Sequence, residues 1–325
     1  MANYTGIQGQ NILIVDTDPA NPIEGQIWYN TTSNLLKGYA NVVINAWASG
    51  GNLNTARQGL ALAGTQTAAV AFGSSPATGT TENYNGTSWT SNPTGLNTGR
   101  GFLAGAGTQT AALAFGGNPV SSATEKWNGT AWTNNPTGLN TARQELAGCG
   151  LQTAALAVNG ISSPGGTRSA ASESFNGSTW TNTPSLNTAN YGRTLFGTNT
   201  AAICSGGADS PITATESWNG TSWTTLPANM NTGRLLYTQS AGTQTAGLAF
   251  GGAVAPYNTA TTATELWNGS TWTSNPTGLA TGRYWSTGCG TQNAALMSGG
   301  STGSATAATE EWTGTALTTR TITTS

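Results

Sequence analysis

Thr215-Glu216-Ser217-Trp218-Asn219-Gly220-Thr221-Ser222-Trp223, followed by Met230-Asn231-Thr232-Gly233-Arg234, carries the anchors of a unit that this chain repeats six times. The repeat glutamates are Glu82, Glu125, Glu173, Glu216, Glu265 and Glu310, and successive ones stand 43 to 49 residues apart. The repeat arginines are Arg57, Arg100, Arg143, Arg193, Arg234 and Arg283. Two residues after each Glu comes an aromatic: Tyr84, Trp127, Phe175, Trp218, Trp267 and Trp312. Five residues later come Trp89, Trp132, Trp180, Trp223 and Trp272, with Leu317 in the last copy. A fixed period of this length means one supersecondary unit per repeat, each burying its apolar face on its neighbours.

Inside a unit the strand pattern is legible. After Arg57, Gln58 to Ala63 reads as a first strand, Gly64-Thr65-Gln66-Thr67 as a turn, and Ala68-Ala69-Val70-Ala71-Phe72 as a second strand stopped by Gly73. The Asn85-Gly86 pair then marks a hairpin between a third and a fourth strand. A two-residue loop there pairs Tyr84 with Thr87 and Glu82 with Trp89, and puts Glu82, Tyr84, Thr87 and Trp89 on one side of the sheet. Four strands in about 45 residues make one propeller blade. The shared face then meets the next blade, and each buried Glu needs a cation, for which the once-per-unit Arg is the candidate. All twelve repeat charges are therefore expected to be structural, holding blade to blade.

The order Gly206-Gly207, Glu216, Trp218, Trp223, Met230-Asn231-Thr232 and Arg234 resembles the kelch repeat, and the resemblance covers about 280 residues. It implies an all-β, six-bladed kelch-like propeller. The chain holds no Trp-Asp dipeptide, which sets a WD-repeat propeller aside. Two departures stand out: Asn159-Gly160 replaces Gly-Gly, and the Leu186 to Arg193 segment carries three extra residues. Trp47 precedes Arg57 by nearly the interval that separates each fourth-strand Trp from the following Arg. Residues Val42 to Ser49 are therefore expected to complete the last blade, where Leu317 stands in place of Trp. The organisation expected is an N-terminal attachment segment over 1–40 and a propeller over 41–325, with 41–49 closing the ring.

Composition narrows the function. Only 7% of residues are charged, ten Lys plus Arg against twelve Asp plus Glu, so no basic patch exists to neutralise a nucleic-acid backbone. Histidine is absent, which removes the usual general base and metal ligand, and the spacing of Cys149, Cys204 and Cys289 matches no zinc site. We expect no catalytic residues, metal or cofactor, three free buried thiols, and no membrane insertion, since no apolar run approaches spanning length. The Asn-Gly-Thr/Ser triplets at Asn85, Asn128, Asn176, Asn219 and Asn268 match the glycosylation sequon but read as hairpin turns.

Recognition is expected where the repeat does not dictate the sequence. The second-to-third strand connections are longest at Ile161 to Ala171 and Ala253 to Ala263. They supply Arg168 and Tyr257 as candidate ligand-binding residues, with Asp209 as a third.

The N-terminal stretch Asp18-Pro19-Ala20-Asn21-Pro22-Ile23-Glu24-Gly25-Gln26-Ile27-Trp28-Tyr29-Asn30, continuing to Lys37, reads as a Pro-bearing linker and a short hairpin. It is similar to segments of tail-fibre and other virion proteins of bacteriophages, those of marine bacteria especially, where such a piece serves attachment. The resemblance implies a virion protein assembled in the host cytoplasm, partnered by other virion proteins and presenting its propeller to a host-surface glycan or protein. A decoration role without host binding, and an intracellular kelch-type interaction module, are the alternatives.

Overall fold

The computed structural model describes residues 12–208, 213–237, 240–254 and 259–322. It separates into one unit made of residues up to Asn45 together with those from Thr313 onward, and a second unit of Ala46–Trp312. The division falls at Asn45 rather than after residue 40, and it groups the C-terminal residues with the N-terminal ones.

The larger unit is an all-β propeller of six blades. Blade 1 runs Ala61–Gly64, Ala69–Ser74, Thr78–Tyr84 and Trp89–Asn92, paired antiparallel in that order. The next four blades repeat the order, beginning at Ala104–Thr108, Ala147–Leu151, Thr194–Gly197 and Ala241–Thr243. The sixth contains Thr287–Gly290 and Ala294–Ser298, then Thr309–Thr321, with Leu35–Ser49 as its fourth strand. The first strands adjoin one another in a closed cycle of six. The hairpin Ala253–Val254 with Thr259–Ala260 is a short extra sheet on blade 5.

The hairpin register differs from the expected two-residue turn. Tyr84 pairs with Trp89 and Glu82 with Ser91, so the loop has four residues, Asn85 to Ser88. The Asn85 Oδ1 accepts from the backbone N–H groups of Thr87 (2.9 Å) and Ser88 (2.8 Å), and Gly86 takes φ +90°. This is the local capture that makes asparagine a turn residue. Asn128, Asn176, Asn219 and Asn268 make the same pair of bonds. Lengthening the loop by two residues preserves parity, so Glu82, Tyr84 and Trp89 still share one face, while Thr87 moves into the turn.

That face meets the preceding blade, not the next. Trp127 and Trp132 of blade 2 pack on Ala61, Val70 and Phe72 of blade 1, and the Trp132 indole N–H donates to Thr81 Oγ1 at 2.9 Å. The fourth-strand indoles of the other blades reach back in the same way to Thr309, Thr124, Ser172 and Thr215. Trp47 completes the set: its indole donates to Thr264 Oγ1 at 2.9 Å, and its ring lies 5.5 Å from that of Trp312 and 4.9 Å from that of Phe250. Residues Ala46 to Ser49 therefore stand where a fourth strand stands in every other blade. The Leu317 side chain lies outside the described residues.

A second clamp comes from the turn between first and second strands. Gln109 donates to the carbonyls of Ala69 and Tyr84 in the preceding blade, and Gln66, Gln152 and Gln292 make the corresponding pairs.

In the smaller unit, Leu13–Val15 pairs parallel with Ile27–Asn30, which forms a hairpin with the start of Leu35–Ser49. Asp18 gathers Lys37 Nζ (2.7 Å), Asn30 Nδ2 (2.7 Å) and Trp28 Nε1 (3.0 Å). The hydrogen bond from Lys37 leads the causes that hold its carboxyl down at about 2.

Candidate functional site

The repeat charges occupy the blade interior. Arg57 meets Glu82 at 2.9 Å, Arg100 meets Glu125 at 2.5 Å, and Arg143–Glu173, Arg193–Glu216, Arg234–Glu265 and Arg283–Glu310 follow at 2.6 to 3.1 Å, all nearly inaccessible. Each ion pair lies within one unit. What spans two blades is the linker: the second carboxylate oxygen of Glu125 accepts from the backbone N–H of Asn97, on the segment arriving from blade 1. Burial pulls Arg57, Arg143, Arg234 and Arg283 down against the opposing pull of their glutamates, Arg234 to about 10. These side chains are buried in ion pairs inside the blades.

Unit 4 departs from this pattern in an instructive way. The step back from the positive-φ glycine late in the first strand that reaches Arg57, Arg100, Arg143 and Arg283 in units 1, 2, 3 and 6 reaches Asn190 in unit 4. Arg193 sits where Leu60, Leu103 and Leu146 sit elsewhere, yet its guanidinium still reaches Glu216 at 2.6 Å. The segment contains no insertion; the arginine has moved three residues along.

Just after the repeat arginine, or in unit 4 just after the Asn190 that stands in its place, each linker turns into its blade through one residue in the left-handed region: Gly59 (φ 62°), Phe102 (51°), Glu145 (54°), Gly192 (61°), Tyr237 (46°) and Trp285 (55°). Backbone hydrogen bonds join them head to tail around the ring. Gly59 N–H donates to Trp285 O (2.8 Å), Phe102 to Gly59 (2.7 Å), Glu145 to Phe102 (2.9 Å), Gly192 to Glu145 (3.2 Å) and Tyr237 to Gly192 (3.1 Å). Holding an L residue left-handed costs roughly 1–2 kcal/mol each. Four large side chains are nevertheless kept at these positions.

The aromatic ones among them form a ring cluster with Tyr191 and Tyr284. Phe102 lies 5.4 Å from Trp285, Tyr237 6.0 Å from Trp285, Tyr284 4.8 Å from Trp285, and Tyr191 6.3 Å from Tyr237, centroid to centroid. All five rings are half-buried. A cavity of about 20 Å³ lies among Gly59, Phe102, Glu145, Arg193, Tyr237 and three leucines. Burial raises the Glu145 carboxyl to about 7 and, with the Glu145 charge beside it, pushes the Tyr237 phenol upward. The second-to-third strand connections share this face, because bridges tie them to the linkers: Gln58 to Ser75, Gln144 to Ile161, Leu235 to Ala253 and Tyr284 to Ser301.

Of the residues singled out for ligand binding, Arg168 lies at the margin of this cluster, exposed, with its guanidinium 5.4 Å from the Tyr191 ring centroid. Asp209 and Tyr257 lie outside the described residues. Phe102, Glu145, Tyr191, Tyr237, Tyr284 and Trp285 were not anticipated. Their one sequence signal is variation: the position two after the arginine reads Gly, Phe, Glu and Trp in units 1, 2, 3 and 6 of an otherwise monotonous repeat.

A second cavity of about 110 Å³ runs between the first strands of all six blades, lined largely by glycine backbone with Cys149, Cys289 and Phe196. The three thiols are free and buried, and burial pushes Cys204 and Cys289 up to about 12. Among the described residues no group of three or more His, Cys, Asp or Glu is placed to hold a metal ion.

No family model matches the chain, and no curated protein matches it. Solved structures do, among them "Structure of YjhT", at a TM-score of 0.65 and 13% identity, covering 82% of this chain and 95% of that one. At that identity the likeness speaks for the propeller fold alone.

Proposed function

We propose that this chain is a structural protein of a bacteriophage particle, of tail-fibre type, which presents a kelch-like propeller for host attachment. The axial aromatic surface, flanked by Arg168 and the long connection at 161–171, recognises a host-surface glycan or protein. The observation that carries this reading is the ring of left-handed residues, where four large side chains stand against backbone preference on the face that also bears the variable loops. Strain held in this manner gathers at ligand sites. The proposed role is binding without catalysis and without a cofactor, consistent with the absence of histidine.

The N-terminal unit would join the propeller to other virion proteins. Leu13, Ile14 and Ile23 expose large apolar side chains there, Ile14 and Ile23 at 70% and 72%, which suits a surface covered on assembly. The same observation favours the second reading, in which the chain decorates or stabilises a capsid or tail without touching the host.

Mass spectrometry of purified particles tests the location; virions that lack the chain refute it. Binding of the isolated protein to host cells then separates attachment from decoration. Exchange of the 161–171 and 253–263 loops, or Trp285→Ala, is expected to abolish that binding while leaving particle incorporation intact.

A further inference from the structure

Asp18 receives three side-chain donors, and two of them carry groups that can react with one another. Its Oδ2 accepts from Lys37 Nζ at 2.7 Å, while its Oδ1 accepts from Asn30 Nδ2 at 2.7 Å and from Trp28 Nε1 at 3.0 Å. A lysine on a part-exposed carboxylate is by itself an ordinary surface pair. The amide on the other oxygen sets this one apart. Asn30 is held at both ends, because its Oδ1 accepts from the backbone N–H of Ser33 at 2.8 Å. The surroundings are enclosed: Trp28 is fully buried, Asn30 is 5% exposed and the Lys37 side chain 16%.

Strand register brings the group together. Trp28 pairs with Lys37 and Asn30 with Leu35, so Lys37 and Asn30 share one face of the hairpin as diagonal neighbours, within reach of a long side chain. Asp18, arriving from the linker before the hairpin, touches both. Acyl transfer from an amide to an amine needs a base at the arriving nitrogen, an acid at the leaving nitrogen and a donor on the oxygen where charge develops. All three have a place here. Asp18 Oδ2 lies on the amine, Asp18 Oδ1 on the amide nitrogen, and the Ser33 N–H on the amide oxygen. Held down at about 2, first by the Lys37 hydrogen bond, the Asp18 carboxyl starts ionised and is a weak base. The transfer it serves is therefore slow, a single event in the life of the chain.

We propose that Lys37 and Asn30 join through an intramolecular isopeptide bond, with Asp18 carrying the protons. Lys37 Nζ bonds to Asn30 Cγ, the Cγ–Nδ2 bond breaks, and the Asn30 nitrogen leaves. Nζ gives up two of its three hydrogens as protons and Nδ2 gains two, relayed in turn by the Asp18 carboxylate, so the lysine enters as an ammonium group and an ammonium ion departs. No oxidant, water or cofactor enters. The product closes the hairpin covalently across its turn, and its second strand, Leu35–Ser49, runs on as the fourth strand of the sixth blade. Load arriving along Ile27–Asn30 then passes to that strand through a covalent bond instead of unzipping hydrogen bonds. The inference is independent of what the propeller binds.

The test is mass spectrometry of the full chain, fresh and after ageing at physiological temperature, then unfolded and digested with trypsin. The expected product is lighter by one ammonia, is no longer cut after Lys37, and gives no fragments from breaks between residues 30 and 37. A succinimide at an asparagine also costs one ammonia but leaves Lys37 open to trypsin, so cleavage there is the deciding readout. Lys37→Arg keeps the ion pair and removes the nucleophile, and should be cut at residue 37 in every chain. Asp18→Asn keeps the size of the side chain and should slow bond formation by at least about a hundredfold, with circular dichroism checking that the fold is kept. Complete cleavage after Lys37 in every parent chain, fresh and aged, overturns the bond. Formation at the parent's rate in Asp18→Asn overturns the proton relay on which the proposal stands.

Discussion

Replacing Glu216 by alanine asks whether the repeat charges hold the propeller together. Both members of the Arg193–Glu216 pair are 1% exposed and 2.6 Å apart. The other carboxylate oxygen accepts the Asn187 N–H at 2.7 Å, so one side chain serves a buried cation and an interblade linker. Truncation leaves Arg193 with only the carbonyls of Cys204 and Ala214, and leaves the Asn187 N–H without this acceptor. Breaking one side of a buried pair costs about 3–5 kcal/mol. At roughly 2–4 °C per kcal/mol for a domain of this size, the thermal midpoint should fall by about 10 °C. Differential scanning calorimetry with urea unfolding measures it, and Glu216→Gln, which keeps one acceptor, should recover part of the loss. A midpoint within about 2 °C of the parent would mean that the carboxylate is solvated in solution, and the buried-pair argument would fail for all six blades.

Trp47→Ala should cost about 3–5 kcal/mol, because it removes a ring packed on Trp312 and Phe250 together with a hydrogen bond to Thr264; limited proteolysis should then cut near residues 46–49 first, and an unchanged digestion pattern would refute ring closure by this strand. Glu145 has a folded carboxyl value raised from 4.5 to about 7, so its contribution to stability is fully present below about pH 4.5 and lost as pH rises through 7. Glu145→Gln should therefore gain about 2–3 kcal/mol over the parent above pH 7 and little below pH 4.5, measured by urea titration at both pH values. Cys149, Cys204 and Cys289 are buried, with thiols pushed upward by burial; iodoacetamide should label none of them in native buffer and all three in denaturant, as counted by intact mass.

The blade was legible because its determinants are local and repeated. An Asn-Gly hairpin, a Glu and two aromatics at fixed offsets decide which side of a sheet is buried, and that conclusion survived a turn two residues longer than expected because side-chain parity depends only on an even shift. The direction of the buried face was not legible: the same aromatics could meet the blade before or after, and only the ring geometry sends Trp132 back to Thr81. The moved arginine of unit 4 shows the limit of counting. Sequence spacing reads Leu186 to Arg193 as an insertion, whereas the side chain of Arg193 is long enough to reach Glu216 from a position three residues further along. The axial site was hidden for a deeper reason. Its members are singletons at one position of six units, and what unites them is a left-handed backbone angle that sequence does not display for Phe, Glu, Tyr or Trp. A repeat fold makes its scaffold conspicuous through sameness, so the residues free to specialise are those where the units disagree. In this chain the disagreement at the ring of six, a Gly in two units and large side chains in the other four, marks the place where the symmetry of the scaffold was spent on an asymmetric surface.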